Sequence, residues 1–169
     1  MTNQQCLVII KPDGLVKSLT GDIIMALSTT KLKIVGTKIV KTNREHLEKH
    51  YNDLKQKKPK IYENTINYMI GKYQTDRVLA LVYHGEEAIA MIRDVCGATN
   101  PEEAHPTSIR GRYGRIHSKT GVFENVVHAS DSPENAEREI KLWFSPEDLT
   151  ETLFPVKIEK VQVERRLWK

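Results

Sequence analysis

A chain of 169 residues fits a single domain over positions 1–169, long enough to bury a core without disulfide or metal staples. Apolar residues at 39% and charged residues at 28% exclude a disordered chain, and no apolar run approaches membrane-spanning length. The net charge of +4 suits polyanionic small molecules or nucleic acid as partners.

Met1-Thr2-Asn3-Gln4-Gln5 lacks the basic region and apolar core of a signal or transit peptide, so a cytoplasmic location is expected. Cys6-Leu7-Val8-Ile9-Ile10 is continuously apolar and reads as a central strand covered on both faces. Lys11-Pro12-Asp13-Gly14 breaks that strand and reads as a turn. Lys11 is then either a plain surface lysine or a cation aimed at a phosphate. Thr20-Gly21-Asp22 starts a helix with Ile23, Ile24 and Leu27 inward. Lys33 to Thr42 alternates as a second strand, with Ile34, Val35, Ile39 and Val40 as candidates for burial. Asn43 caps a helix in which His46, Leu47 and Tyr51 follow at helical spacing. Lys55 to Lys60 reads as a solvated basic loop. Beyond it and Arg165-Arg166 the basic residues are scattered, and no aromatic-interleaved basic strand of the single-strand-binding type occurs.

Ile61 to Ile70 predicts a short helix, and Val78 to Tyr83 a third apolar strand. Glu86 to Val95 predicts a helix with Arg93 near its C-terminal end, where a cation is favoured. Cys6 and Cys96 lie far apart without metal-ligand spacing and read as reduced packing residues. Ala98 to Glu124 has no clear periodicity and reads as a binding loop or a disordered segment. The tail, at about 151–169, alternates in part through Val156, Ile158, Val161 and Val163. Strands and helices in this order predict an α/β sandwich. It is read as a ferredoxin-like βαββαβ fold with a four-stranded antiparallel sheet, added helices and a long loop before the last strand.

The densest chemistry lies in Asn125-Val126-Val127-His128-Ala129-Ser130-Asp131-Ser132-Pro133. Val126 and Val127 suit a strand, and Ser132-Pro133 suits a helix start. His128 therefore sits at a strand-to-helix junction, where free backbone N–H groups gather and phosphate binds. Ala136, Ile140, Trp143 and Phe144 define the inward face of the next helix, and Glu139 shares that face. A buried carboxylate needs a partner. Set on one ring nitrogen of His128, it orients the ring and leaves the other nitrogen free to attack. The alternative is a satisfied core histidine beside a rim carboxylate. No P-loop, Gly-x-Gly-x-x-Gly, Cys/His cluster or Gly-x-Ser-x-Gly elbow is present. If the protein handles nucleotides, the phosphate charge then falls to side chains such as Lys11, Arg93 and Arg110.

Lys11-Pro12-Asp13-Gly14, Thr99-Asn100-Pro101, Ile109-Arg110-Gly111 and Asn125-x-x-His128-Ala129-Ser130-Asp131, in that order, resemble the nucleoside diphosphate kinases. The resemblance runs from about residue 5 to residue 150 and extends to Leu142-Trp143-Phe144-x-Pro146-Glu147. It implies that His128 takes the γ-phosphate of a nucleoside triphosphate and passes it to a diphosphate, with ping-pong kinetics through a pros-phosphohistidine. Glu139 would orient His128, and Ser130 would support the same arrangement. Lys11, Tyr51, Arg93, Thr99 and Arg110 would grip the phosphates, and Lys11 and Asn125 the ribose hydroxyls. In the family an aromatic after a proline stacks on the base. Here Pro59 is followed by Lys60-Ile61-Tyr62, so Tyr62 or Ile61 supplies that face. The resemblance also implies Mg²⁺ bridged by substrate phosphates, with no protein cage. The implied partners are nucleoside tri- and diphosphates and further copies of the chain, as a hexamer or tetramer. A non-catalytic nucleotide or nucleic-acid binding module on the same fold is the alternative.

Overall fold

The computed structural model describes residues 2–164 and 168, with the backbone alone for Lys60. The basic pair Arg165-Arg166 lies outside the described residues. The elements in chain order are β1 (Asn3–Ile10), α1 (Pro12–Val16), α2 (Thr20–Ser28), β2 (Lys33–Lys41), α3 (Arg44–His50), α4 (Asn52–Lys57) and α5 (Pro59–Met69). They continue as β3 (Arg77–Glu86), α6 (Ala88–Cys96), α7 (Ile109–Tyr113), β4 (Arg115–Ile116), β5 (Phe123–Glu124), β6 (Val127–Ala129) and α8 (Pro133–Trp143). A 3₁₀ turn, Pro146–Asp148, follows, and no strand or helix is assigned from there to residue 164.

The main sheet runs β2-β3-β1-β6, with every neighbour antiparallel. This is the ferredoxin-like order the sequence predicts. Strand β1 lies between two neighbours and alternates its side chains across two cores. Cys6, Val8 and Ile10 pack with α2 and α6 on one face. Leu7 and Ile9 join Leu47, Tyr62, Ile66, Ile140 and Trp143 from α3, α5 and α8 on the other. A strand buried on both faces must be apolar at every position, which is why it reads as an unbroken run.

Three expectations need correction. Lys11-Pro12-Asp13-Gly14 is not a free turn, because Pro12 opens helix α1, where its missing N–H costs nothing. Most of the basic segment Lys55 to Lys60 is helical, in α4 and the start of α5, with Pro59 again at a helix start. Ile34 and Ile39 are exposed, at 45% and 58%. Strand β2 is an edge strand with a bulge between Ile34 and Gly36. The extra residue lets both Val35 and Gly36 face inward and turns Ile34 and Ile39 to the open side. Gly36 is closely packed there: a Cβ would meet the end of the Leu149 side chain at 2.6 Å and the Asp148 carbonyl oxygen at 3.3 Å.

Helix α8 carries Glu139 and is well anchored. Ser132 Oγ accepts the Asn135 N–H at 3.2 Å, and Pro133 takes the first helical position. Ser132→Ala is expected to cost about 1 kcal/mol of stability, the usual worth of such a cap, measured by urea unfolding.

Candidate active site

Strand β6 is only three residues long, yet it is clamped to β1, with Ile9 opposite His128. That pairing fixes the backbone of the histidine. Its ring is fixed from α8: Nε2 lies 3.0 Å from Glu139 Oε2. The same carboxylate oxygen accepts Ser130 Oγ at 2.6 Å, and Ser130 Oγ in turn accepts the Leu7 N–H at 3.1 Å. Glu139 is 4% exposed, so burial works against its charge. The His128 charge and hydrogen bond outweigh burial and hold the carboxyl at about 2. His50 packs edge-on against His128, with ring centroids 4.5 Å apart, and its Nδ1 accepts the Trp143 indole N–H at 3.1 Å.

In front of this ring lies a cavity of about 300 Å³. Lys11, Tyr51, Arg93, Thr99, Arg110, Asn125 and His128 all line it. Residues up to 117 positions apart in sequence are thus brought to one place. Lys11 stands at the end of β1 and donates to Asn125 Oδ1 at 2.7 Å. Asn125 Nδ2 donates to the Thr99 carbonyl at 2.7 Å. Burial, and then the Arg110 charge, push the Lys11 ammonium down to about 8. Arg110 spends its guanidinium tips on the Gly97 and Val127 carbonyls at 2.7 and 3.2 Å. Its Nε is buried without a partner among the described residues, as is the Tyr51 hydroxyl. The cavity wall therefore holds cations and unspent hydrogen-bonding groups beside His128, whose Nδ1 has no hydrogen-bond partner among the described residues.

Residues 4–149 match the family model for nucleoside diphosphate kinase. The chain belongs to the nucleoside diphosphate kinase family. It is 44% identical to the nucleoside diphosphate kinase of Thermococcus kodakarensis over 148 residues, covering 88% of this chain and 80% of that relative. It is 43% identical to that of Pyrococcus furiosus, covering 88% and 87%. Among solved structures, it superposes on the Borrelia burgdorferi nucleoside-diphosphate kinase with a TM-score of 0.79 at 29% identity, covering 94% of this chain and 93% of that one. That structure is a transition-state mimic with bound vanadate and ADP. The Pyrobaculum aerophilum NDP kinase superposes with a TM-score of 0.77 at 29% identity, covering 89% and 100%. These matches support a phosphotransferase and not the non-catalytic alternative.

Within this nucleoside diphosphate kinase fold, one of the two candidates for the base face is corrected. Tyr62 is 3% exposed and belongs to the core with Ile66 and Met69, so its ring does not line the cavity. Ile61, one position earlier on α5, does line it. Sequence reasoning missed Leu54, Lys58, Thr65, Tyr68, Val122, Phe123 and Asp131, which also line it. Only Asp131 carried a signal, as part of the Asn-x-x-His-Ala-Ser-Asp run.

His50, His128 and Glu139 lie close enough together to suggest a metal cluster. Their bonding argues against it: Glu139 Oε2 already accepts two hydrogen bonds, and His50 Nδ1 accepts one. Asp131 is the one carboxylate among the described residues lining the cavity, and a hydrogen bond from Asn135 keeps it ionised. A single carboxylate on the cavity wall suits a divalent cation that arrives with a ligand and keeps most of its water, rather than one held in a protein cage.

Glu139→Gln preserves the shape but removes the charge. Turnover is expected to fall at least roughly 10- to 100-fold, the cost of losing an outer partner that orients a metal-bound imidazole. The carboxyl is depressed in the folded protein, so its stabilisation is complete above the ordinary value of 4.5 and is lost as pH falls towards 2. Acid unfolding curves of wild type and Glu139→Gln should therefore converge across that window.

Proposed function

We propose that this kinase moves the terminal phosphoryl group of a nucleoside triphosphate to a nucleoside diphosphate through Nδ1 of His128. The observation that carries the reading is the Nε2–Glu139 bond on a histidine that lines the cavity, which leaves Nδ1 as the nitrogen to attack. Its lone pair attacks the γ-phosphorus, the bond to the β-phosphate oxygen breaks, and the diphosphate leaves. A second diphosphate attacks the phosphohistidine with its terminal oxygen and restores the imidazole. Glu139 holds the proton on Nε2 and balances the ring's charge; Ser130 holds Glu139.

Such a transfer needs in-line placement and charge neutralisation. Lys11, Arg93 and Arg110, with the Tyr51 and Thr99 side chains, supply them around the phosphates. Lys11 and Asn125 bond the ribose. Ile61, with Leu54, Val122 and Phe123, forms the apolar slot for the base. Contact through apolar side chains reads a base only loosely, so broad base tolerance is expected. Magnesium, carried by the nucleotide and held on the protein side through Asp131, would neutralise the phosphate oxygens.

The chain works as one domain with its tail at about 151–169. It acts in the cytoplasm as a homo-oligomer, a hexamer or tetramer, and nucleic acid is at most a secondary partner. No helix among the described residues is long and apolar enough to cross a membrane. The open side of β2, with Ile34 and Ile39, is a surface suited to a second copy.

Protein incubated with γ-labelled ATP should carry label that survives alkali and is lost in acid. Initial rates with ATP and a second diphosphate should give parallel double-reciprocal lines. Unlabelled protein, or intersecting lines, would remove the phosphohistidine from the scheme.

A further inference from the structure

Val126 is β-branched, yet its φ is +57°. Residues of that shape adopt such a backbone only at a cost. The Val127 N–H donates to the Asn125 carbonyl at 2.7 Å and closes a γ-turn centred on Val126. The positive-φ form of that turn is the rare and strained one. Asn125 and His128, both at the phosphate cavity, lie on either side of it.

One short segment holds the turn from both sides. Asp13 Oδ2 accepts the Val126 N–H at 3.2 Å. The Lys11 N–H donates to the Val126 carbonyl at 2.8 Å. Asp13 is fully buried, its Oδ1 accepts the Tyr68 hydroxyl, and Lys17 Nζ stands 3.8 Å from Oδ2. The fit is close: a Cβ on Gly14 would come 3.1 Å from the Val126 carbonyl oxygen. Asp13 itself is not among the residues lining the cavity.

We infer that Asp13 is a positioning residue of the transfer reaction, its carboxylate holding Val126 in the strained turn that sets Asn125 and His128 against the cavity. The inference rests on the role proposed for His128. Without an acceptor, the Val126 N–H is buried and unpaired, and the turn relaxes towards ordinary extended backbone. That relaxation rotates Asn125 away from Lys11 and moves the histidine out of line.

A double-mutant cycle tests it. Asp13→Ala should lower kcat roughly ten-fold, within the range of coupled neighbours. Asp13→Asn should keep most of the activity, because one amide oxygen still accepts the Val126 N–H and the Tyr68 hydroxyl can rotate to accept from the amide nitrogen. Val126→Gly removes the strain, since glycine takes positive φ freely. In that background Asp13→Ala should cost no more than about two-fold in kcat. A loss of folding would not produce this pattern in kcat among folded variants. If Asp13→Ala does not fold, Asp13→Ser, too short to reach Val126, takes its place in the cycle. An equal loss with Val126 and with glycine overturns the inference. Wild-type protein that takes up phosphoryl label but shows such additivity overturns the role of Asp13 alone. Unlabelled wild type overturns the role of His128 and this inference with it.

Discussion

His128→Ala is expected to lower nucleotide exchange by about 10⁴-fold or more, the scale seen when a covalent catalyst loses its nucleophile. The loss should fall on kcat, because the ring is not needed to hold the phosphates. Lys11, Arg93 and Arg110 line the cavity independently of it, so the dissociation constant for ADP should stay within a few-fold. Some stability should be lost as well, because the buried Glu139 carboxylate is left with Ser130 and the more distant Arg138. The variant should also take up no acid-labile label. Retained labelling would mean that another group carries the phosphoryl. His50 is the nearest alternative imidazole, with its ring centroid 4.5 Å from that of His128. It is a poor one: its Nδ1 is committed to Trp143 and its Nε2 is buried. His50→Gln, assayed beside His128→Ala, separates the two.

Much of this arrangement could be read in the sequence because strong physical signals carry it. Strand β1 is apolar at successive positions because both its faces are buried. Ser132-Pro133 marks a helix start by chemistry that the structure repeats atom for atom. Glu139 stood out as a carboxylate on an apolar helix face, and it is buried against His128. The parts that could not be read share a different cause. Helix α1 is five residues long, too short for any periodicity to register. Ile34 and Ile39 were misplaced because a bulge shifts the alternation of β2, and a bulge leaves no mark in composition. Ile61 and Tyr62 are adjacent on α5, and helical spacing alone does not say which of them meets core and which meets cavity. Val122 and Phe123 reach the cavity only because the chain between α7 and β6 folds back as the small β4–β5 pair. The turn at Val126 runs against local preference altogether. It exists because Asp13 and Lys11, more than a hundred positions earlier in the chain, hold it there.

Lys11 gives the second large effect. Its ammonium is buried, pushed down to about 8, and bonded to Asn125 at 2.7 Å. Without nucleotide this charge is costly to keep; in the proposed scheme a bound phosphate offsets that cost. Lys11→Ala is therefore expected to lower kcat/KM roughly 10²- to 10³-fold, comparable to losing one preorganised donor at a charge-developing oxygen. The proton balance provides a sharper check. Above pH 8 the empty protein begins to lose the Lys11 proton, while the unfolded chain keeps it up to the ordinary value of 10.5. Between those values the unfolded state binds more protons, so the stability of the empty protein gains a favourable contribution from this residue as pH rises. Nucleotide binding works in the opposite sense, because it draws the proton back. ADP affinity should weaken as pH rises through 8, and binding near pH 9 should take up a proton. Calorimetry in buffers of differing ionisation enthalpy measures that uptake directly. Lys11→Arg keeps its charge throughout this range, so the uptake should vanish in that variant. Equal proton uptake in Lys11→Arg and wild type would place the titrating group elsewhere in the cavity.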